Sequence, residues 1–487
     1  MRSRLSSQIK LDDDFLEKAE DSASFIRSRS SDDLLLISHI DADGLTSAGI
    51  SSLALDRAGI EHETWFSKQL DENDLREIEN AGFSTVIFTD FGSGLTDEIR
   101  ESDFDSVVAD HHQPQTEMET EDGDLDYHLN PLLFGIDGSS EISGAGTSYV
   151  LARALIGEDA KDLAALAAVG AVGDMQDSKS GRLTGANREI VKEGVEAGVL
   201  EERTDLLLFG RQTRDLPRLF EYSTDVYLPG VTNSRSGAVD FLEETGVRLR
   251  RANGDWRRWA DFSDDERQQV TNSLMEHCIT NGVDSDEIDR LVGETYVLTQ
   301  EEPGTEVRDA TEFSTLLNST ARYREAETGL AVCKGDRDEA YSRAHELLKN
   351  HRRNLKNGVD FVDSNGVTKL ENLQYFDARS EIRDTIVGII AGMSYSLGSV
   401  SRSMPIVAFA DSEEDRLDAE DETKVSARGT QSLVRKGLDL SDVMSSCASE
   451  VDGGGGGHDI AAGATIPTDE LDRFVHKADA MIGEQLS

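Results

Sequence analysis

The chain has 487 residues, 37% of them hydrophobic, which is enough to bury more than one core and too many for a single small domain. Acidic residues outnumber basic ones 96 to 49, for a net charge of −47, which excludes a protein that gathers nucleic acid or membrane by bulk attraction. No run of 18 apolar residues occurs, the first 21 residues lack the apolar stretch of a secretory signal, and Cys278, Cys333 and Cys447 lie far apart with no CxxC pair, so the expectation is a reduced, cytoplasmic protein without disulfides or thiolate zinc.

The acid is spread along the chain, and the periodic apolar segments argue against disorder. A surface that stays hydrated in concentrated salt accounts for the pattern, since salt screens the mutual repulsion of the carboxylates. The expectation is a salt-adapted organism, a halophilic archaeon. Contacts with nucleic acid would then have to be local.

In chain order, residues 1–30 read as a helical segment. DDLLLISHIDADGLTSAGISSLALDRAG reads as buried strand, loop and helix; STVIFTDFGSG and FDSVVADHH are two further strands; KDLAALAAVGAVGDMQD is an apolar helix running into a polar loop. Strands alternating with helices indicate a parallel α/β sheet, in which ligands gather beyond the carboxyl ends of the strands. Residues 206–335 read as mostly helical and partly polar. A long charged helix over 336–360 resembles a linker. Residues 361–487 alternate again, with MPIVAFAD as the clearest strand.

The chemistry-bearing groups collect at those ends. His39, Asp41 and Asp43 stand in SHIDADG, Asp90 in FTDFGSG, Asp110, His111 and His112 in VVADHHQP, and Asp174 in AVGDMQD. Carboxylates with neutral imidazoles suit Mn²⁺ or Mg²⁺. If the SHIDADG segment is extended, Asp41 and Asp43 point the same way and could each serve one of two cations, with Asp90 bridging. Two cations about 3.5–4 Å apart activate a water for phosphoryl transfer without a side-chain nucleophile. Each residue has a plainer explanation: Asp90 or Asp174 as a cap or turn residue, His39 as a core histidine. The conjunction of four element ends carrying the required ligand types decides for a metal site.

HIDADG, the Asp of FTDFG, ADHH and GDMQD resemble the four ordered motifs of the DHH phosphoesterase superfamily. GGGGGHDIAAG resembles the glycine-rich motif of the DHH-associated domain, and ISGAGTSYVLARAL with AALAAVGAVGDMQD is similar to archaeal RecJ-like proteins. The resemblance covers 31–200 and 310–487. It implies a parallel-sheet α/β DHH domain (31–205), a middle region completing the catalytic lobe (206–335), a linker helix (336–360) and a smaller α/β substrate-binding domain (361–487). It implies Asp41, Asp43, Asp90, His111 and Asp174 as metal ligands and His39 as a ligand or near-ligand. It further implies His112 as a ligand or phosphate contact, Asp110 as a support of the site, and two Mn²⁺ ions as cofactor, with Mg²⁺ as the substitute.

The five-glycine run would let a phosphate approach the backbone N–H groups, so Gly455, Gly456, Gly457 and His458 are expected substrate contacts; a flexible surface loop is the alternative. Lys424, Ser426 and Arg428 alternate on one face of a strand, as substrate contacts or as a solvated sheet edge. Asn318 and Arg322 in LNSTARY resemble a further RecJ-type motif, with helix packing as the alternative. The implied activity is a metal-dependent exonuclease on single-stranded DNA or RNA. The alternatives are a phosphodiesterase for short oligonucleotides or cyclic dinucleotides, and a replisome scaffold associated with GINS.

Overall fold

The computed structural model describes residues 10–31, 33–115, 126–223, 226–412 and 422–486. It divides into two compact units, Met1–His345 and Glu346–Ser487. A helix over Asp13–Ser28, capped by the Asp12 carboxylate, precedes the first strand.

The first unit is built on five parallel strands, β1 (Leu34–His39), β2 (Glu63–Ser67), β3 (Thr85–Thr89), β4 (Asp105–Ala109) and β5 (His128–Leu129), in the order β2-β1-β3-β4-β5. The runs LLLIS and TVIFT are buried throughout, as strands covered on both faces must be. One face carries the core of Ile37, Ile78, Phe88, Ile99, Phe104 and Val108. Three helices pack together within the same unit, Ala42–Ala58, Gly144–Ile156 and Ala164–Gly173, all rich in Gly, Ala and Ser and therefore able to approach closely. Strand order reverses between β1 and β3. A parallel sheet leaves a crevice beyond the carboxyl ends at such a point, and this is where β1 delivers His39 and β3 delivers Asp90.

The middle region was expected to be mostly helical. Its core does gather helices, over Leu216–Glu221, Arg235–Glu244 and Asp264–Thr280, around Phe220, Phe241, Trp259 and Leu274. It also contains β7 (Val292–Leu298), which forms an antiparallel ribbon with β6 (Leu200–Leu206) at the region's leading boundary. In LEERTDL the apolar residues stand only at the two ends, with charged and polar residues between, so the apolar signal of a strand is lost. The region is fastened by buried Arg211, whose guanidinium grips Asp309 through three contacts of 2.7–3.0 Å. Asp309 in turn caps the Ala310–Arg322 helix.

The second unit is a six-stranded sheet of β8 (Thr368–Lys369), β9 (Gln374–Asp377), β10 (Ile406–Asp411), β11 (Glu422–Arg428), β12 (Gly454–Gly457) and β13 (Ala461–Pro467), in the order β12-β13-β11-β10-β9-β8. Only the β9–β10 pair is parallel. The Asp384–Met393 helix covers one face, and the Leu440–Ser449 and Leu471–Leu486 helices the other. A helix over Glu339–Asn365 contributes Val362 to the first of these cores. Cys278, Cys333 and Cys447 are buried and unpaired. No helix among the described residues is long and apolar enough to cross a membrane.

Candidate metal centre

The expected ligands come together at the carboxyl ends of β1, β3 and β4. His39 Nδ1 lies 3.2 Å from Asp41 Oδ1 and 3.5 Å from Asp90 Oδ2. His111 Nε2 lies 3.2 Å from Asp90 Oδ1 and 3.7 Å from Asp43 Oδ2, and Asp174 Oδ2 is 3.9 Å from its Nδ1. Three donor groups result, each with ligand atoms within 4.8 Å of one another: His39–Asp41–Asp90, Asp43–His111–Asp174, and Asp90–Asp110–His111–His112, which overlaps the other two. Asp90 joins the first two, one oxygen toward each histidine. It holds this place with φ 60°, in the left-handed region, a conformation whose cost is expected where the surrounding structure and function demand it.

One expectation fails in detail. Asp41 and Asp43 do not share the face of an extended segment. β1 ends at His39, Asp41 is the N-cap of the Ala42–Ala58 helix and accepts from Gly44 N–H at 2.9 Å, and Asp43 sits in the first turn. With Asp41 at the cap and Asp43 inside the helix, their side chains enter different donor sets.

The donor chemistry fits divalent cations. His111 Nδ1 is 2.6 Å from the Gly138 carbonyl, which can only accept, so Nδ1 carries a proton. A neutral His111 would then aim its Nε2 lone pair at two carboxylates; a proton or a cation must lie between them. Asp90 Oδ1 is buried and makes no hydrogen bond, although Nε2 approaches it. Such an atom asks for a cation. In this donor set by itself, burial would lower the His39 proton affinity, yet the Asp41 and Asp90 carboxylates lift its pKa to about 11. Burial would likewise raise Asp90, yet His111 and His39 hold it at about 2. Burial and the Asp90 charge push Asp43 up, against the pull of two backbone donors, Gly144 N–H at 2.7 Å and Ala145 N–H at 3.0 Å, at the start of the Gly144–Ile156 helix. Carboxylates and imidazoles without thiolates suit Mn²⁺ and Mg²⁺.

Around the donors stands a supporting layer. Asp110 is buried; Oδ2 accepts from Ser93 N–H at 3.0 Å, and Oδ1 accepts from the backbone of His111 and His112 and from His112 Nδ1 at 2.8 Å. His112 is thereby aimed, with a side chain 57% exposed. Two glycines make room: a Cβ at Gly144 would come within 2.2 Å of Asp90 Oδ1, and one at Gly170 within 2.4 Å of Asp43 Oδ1. The sequence reading missed Gln176, which is buried and reaches Asp174 Oδ2 and the Gly138 carbonyl, each at 2.8 Å, tying both sides of the Asp43–His111–Asp174 set together. Its position in GDMQD was the available signal. Asn130 was missed as well; it donates to the His112 carbonyl and to Ser93 Oγ, each at 2.8 Å. Asn318 accepts from Ala42 N–H at 3.0 Å, between the two aspartates, and Arg322, half-buried on the same helix, feels the Asp41 charge.

The residues expected to bind substrate in the second unit have a different setting. Lys424, Ser426 and Arg428 do share one face of β11, but β11 runs between β10 and β13 and is no sheet edge. Gly388 packs over them; a Cβ there would lie 2.4 Å from an Arg428 guanidinium nitrogen and 3.1 Å from Ser426 Oγ. The glycine run is no flexible loop. Gly454–Gly457 form edge strand β12, paired with β13, and only Gly457 of the run has positive φ. His458 and Ala461 exchange both backbone hydrogen bonds, so by antiparallel alternation Gly455 and Gly457 turn their N–H groups to the unpaired side. His458 is exposed.

Three domain families match the chain in order: the DHH family N-terminal domain over residues 33–171, the DHH-CID domain over 208–292 and the DHHA1 domain over 371–484. This chain belongs to the DHH superfamily. An uncharacterized protein from Methanocaldococcus jannaschii is 29% identical over 458 residues, 93% of each chain. Among solved structures, exonuclease RecJ bound to manganese aligns with TM-score 0.57 at 16% identity, over 96% of this DHH chain and 94% of that one. CDC45 from Entamoeba histolytica aligns with TM-score 0.66 at 11% identity, over 96% and 99%. These likenesses are of fold.

Proposed function

We propose that this DHH protein is a metal-dependent phosphodiesterase that acts as an exonuclease on single-stranded DNA or RNA. The carrying observation is Asp90, whose two oxygens face one histidine each while the buried Oδ1 has no hydrogen bond. His39, Asp41 and Asp90 would hold one Mn²⁺ or Mg²⁺; Asp43, His111 and Asp174 would hold the other, with Asp90 shared. Bound there, the cations supply acidification of a water and compensation of phosphoryl charge. The chain's own groups do the rest. Asp110 fixes the His112 Nδ1–H and leaves Nε2 to meet a phosphate or leaving-group oxygen. Gln176 and Gly138 hold Asp174 and His111 in register. In the second unit Lys424, Ser426, Arg428, His458 and the outward N–H groups of Gly455 and Gly457 suit a nucleotide backbone.

The fold of RecJ bound to manganese supports this reading. The fold of CDC45 favours a second one, a scaffold within a replication assembly such as one containing GINS. The complete donor set favours the enzyme. The experiment is digestion in concentrated KCl with Mn²⁺, using 5′- and 3′-labelled DNA and RNA strands of several lengths and a cyclic dinucleotide. Stepwise shortening from one end is expected. Cleavage confined to dinucleotides would replace the exonuclease reading, and no cleavage of any substrate would favour the scaffold.

A further inference from the structure

The Glu339–Asn365 helix carries an anomaly of charge. Acidic residues number 96 in this chain, about one position in five, yet the ten residues from Lys349 to Gly358 contain four cations and no carboxylate. At 100° per residue, Lys349, Arg352, Arg353 and Lys356 fall within an arc of about 100°. All four are exposed, whereas His351 and Gly358 face the interior. The row is about 10 Å long, the length of about three stacked nucleotides. Glu346 precedes it and Asp360 follows it on the same side, so it is bounded along the helix.

Elsewhere the arginines of the protein are commonly neutralised in place. Arg188 pairs with Glu202 and Glu294, Arg257 with Glu266, Arg337 with Glu301 and Arg343 with Glu325. Lys349, Arg353 and Lys356 make no ion pair with a carboxylate among the described residues; Arg353 donates only to the Asn350 side chain, at 2.8 Å. In a protein of net charge −47, these three heads have no carboxylate partner among the described residues. An exposed cation row on a strongly anionic protein repels nothing that is anionic at contact range, and screening at high salt confines its reach to that range.

We propose that the Lys349–Lys356 face is a docking surface for the phosphate backbone of a single-stranded nucleic acid. The proposal rests on the function proposed above and adds a contact outside the metal centre and the β11–β12 region. The row reads charge and no bases: three compact or forked cations without an aromatic side chain among them bind phosphates independently of sequence.

The test is binding of a fluorescein-labelled 20-nucleotide thymidine strand to the full chain in EDTA, between 0.5 and 2 M KCl, for the parent and for the triple variant Lys349→Gln/Arg353→Gln/Lys356→Gln. Far-UV ellipticity and thermal midpoint check that the variant is folded; the exposed positions make that the expected result. The slope of log affinity against log salt should fall by about 0.7 for each charge removed, about 2 in all, which is about fourfold weaker binding at the low-salt end. Unchanged slope and affinity in the folded variant would overturn the docking surface while leaving the metal centre's function standing. Displacement of the strand by polyglutamate at lower concentration than by unlabelled strand would reassign the face to an acidic protein and overturn it too. A parent protein that binds no strand would overturn both readings together.

Discussion

Replacing Asp90 tests the centre at its shared point. Asn is nearly isosteric with Asp and also tolerates φ near 60°, whereas Ala there adds about 1–2 kcal/mol of backbone cost. Asp90→Asn therefore isolates the charge. It removes the one anion that faces both His39 and His111, and it leaves a neutral amide where the carboxylate would be shared by the two cations. Losing a residue that merely supports a ligand lowers metal affinity about 10–100-fold, so losing a ligand common to two ions should exceed about 100-fold for at least one of them. Turnover should fall by at least the same factor, because water activation depends on the pair. The assay is Mn²⁺ titration by calorimetry beside oligonucleotide hydrolysis, with ellipticity as the control for folding. The His39 titration followed by NMR in chelator should also move down from about 11, since one of its two anionic neighbours is gone. A folded Asp90→Asn protein that binds two Mn²⁺ with parental affinity and hydrolyses within tenfold of the parent would refute the shared-ligand reasoning.

Gly144→Ala brings a Cβ within 2.2 Å of Asp90 Oδ1; it should cost about 1–3 kcal/mol by overpacking and weaken Mn²⁺ binding, measured by thermal melts and calorimetry. Burial, assisted by Asp309, raises the Glu312 pKa from 4.5 to about 7, so its contribution to stability is fully present below pH 4.5 and is lost as pH rises to about 7; Glu312→Gln should flatten the melting temperature over that window. His458→Ala, on an exposed strand end in the second unit, should raise the Michaelis constant while calorimetry finds Mn²⁺ affinity within about twofold of the parent. Hydrolysis should peak at about 1 M KCl or above, where the Debye length is about 3 Å, and its loss at low salt should coincide with loss of ellipticity; full activity with native ellipticity at about 0.1 M would refute the salt-adapted reading.

The parallel sheet was legible because its strands are buried on both faces and so read as unbroken apolar runs such as LLLIS and TVIFT. The β12 strand was illegible for the opposite reason. Four consecutive glycines have no strand tendency of their own, and GGGG reads as a loop. Context makes it a strand: β13 supplies the ladder, and the missing side chains let the Leu440–Ser449 helix settle on the backbone, where a Cβ on Gly455 would stand 2.6 Å from the Met444 carbonyl. For β11 a solvated edge stood as the alternative to a substrate-binding face, because charged Lys424 and Arg428 suggested solvent. Both residues lie on an interior strand and are half-buried on the face packed by Gly388.

The candidate site was legible to the extent that its chemistry resides in residue types fixed at strand ends. His39, Asp90 and the Asp110–His112 triplet follow apolar runs directly, so the sequence gives their position within an element as well as their identity. Asp41 and Asp43 were harder because HIDADG alternates polar and apolar residues as a strand does, and the helix start lies inside it. The physical signal was present: an aspartate three residues ahead of a glycine N–H at the head of a long apolar, small-residue segment is an N-cap. Taking that turn into account changes the chemistry. Side chains two positions apart on a strand would point to the same side, whereas at this helix start one carboxylate joins His39 and the other joins His111. The helix beginning at Ala42 is therefore what separates the donors into two sets, and Asp90, held in its left-handed conformation between them, is what keeps the sets adjacent.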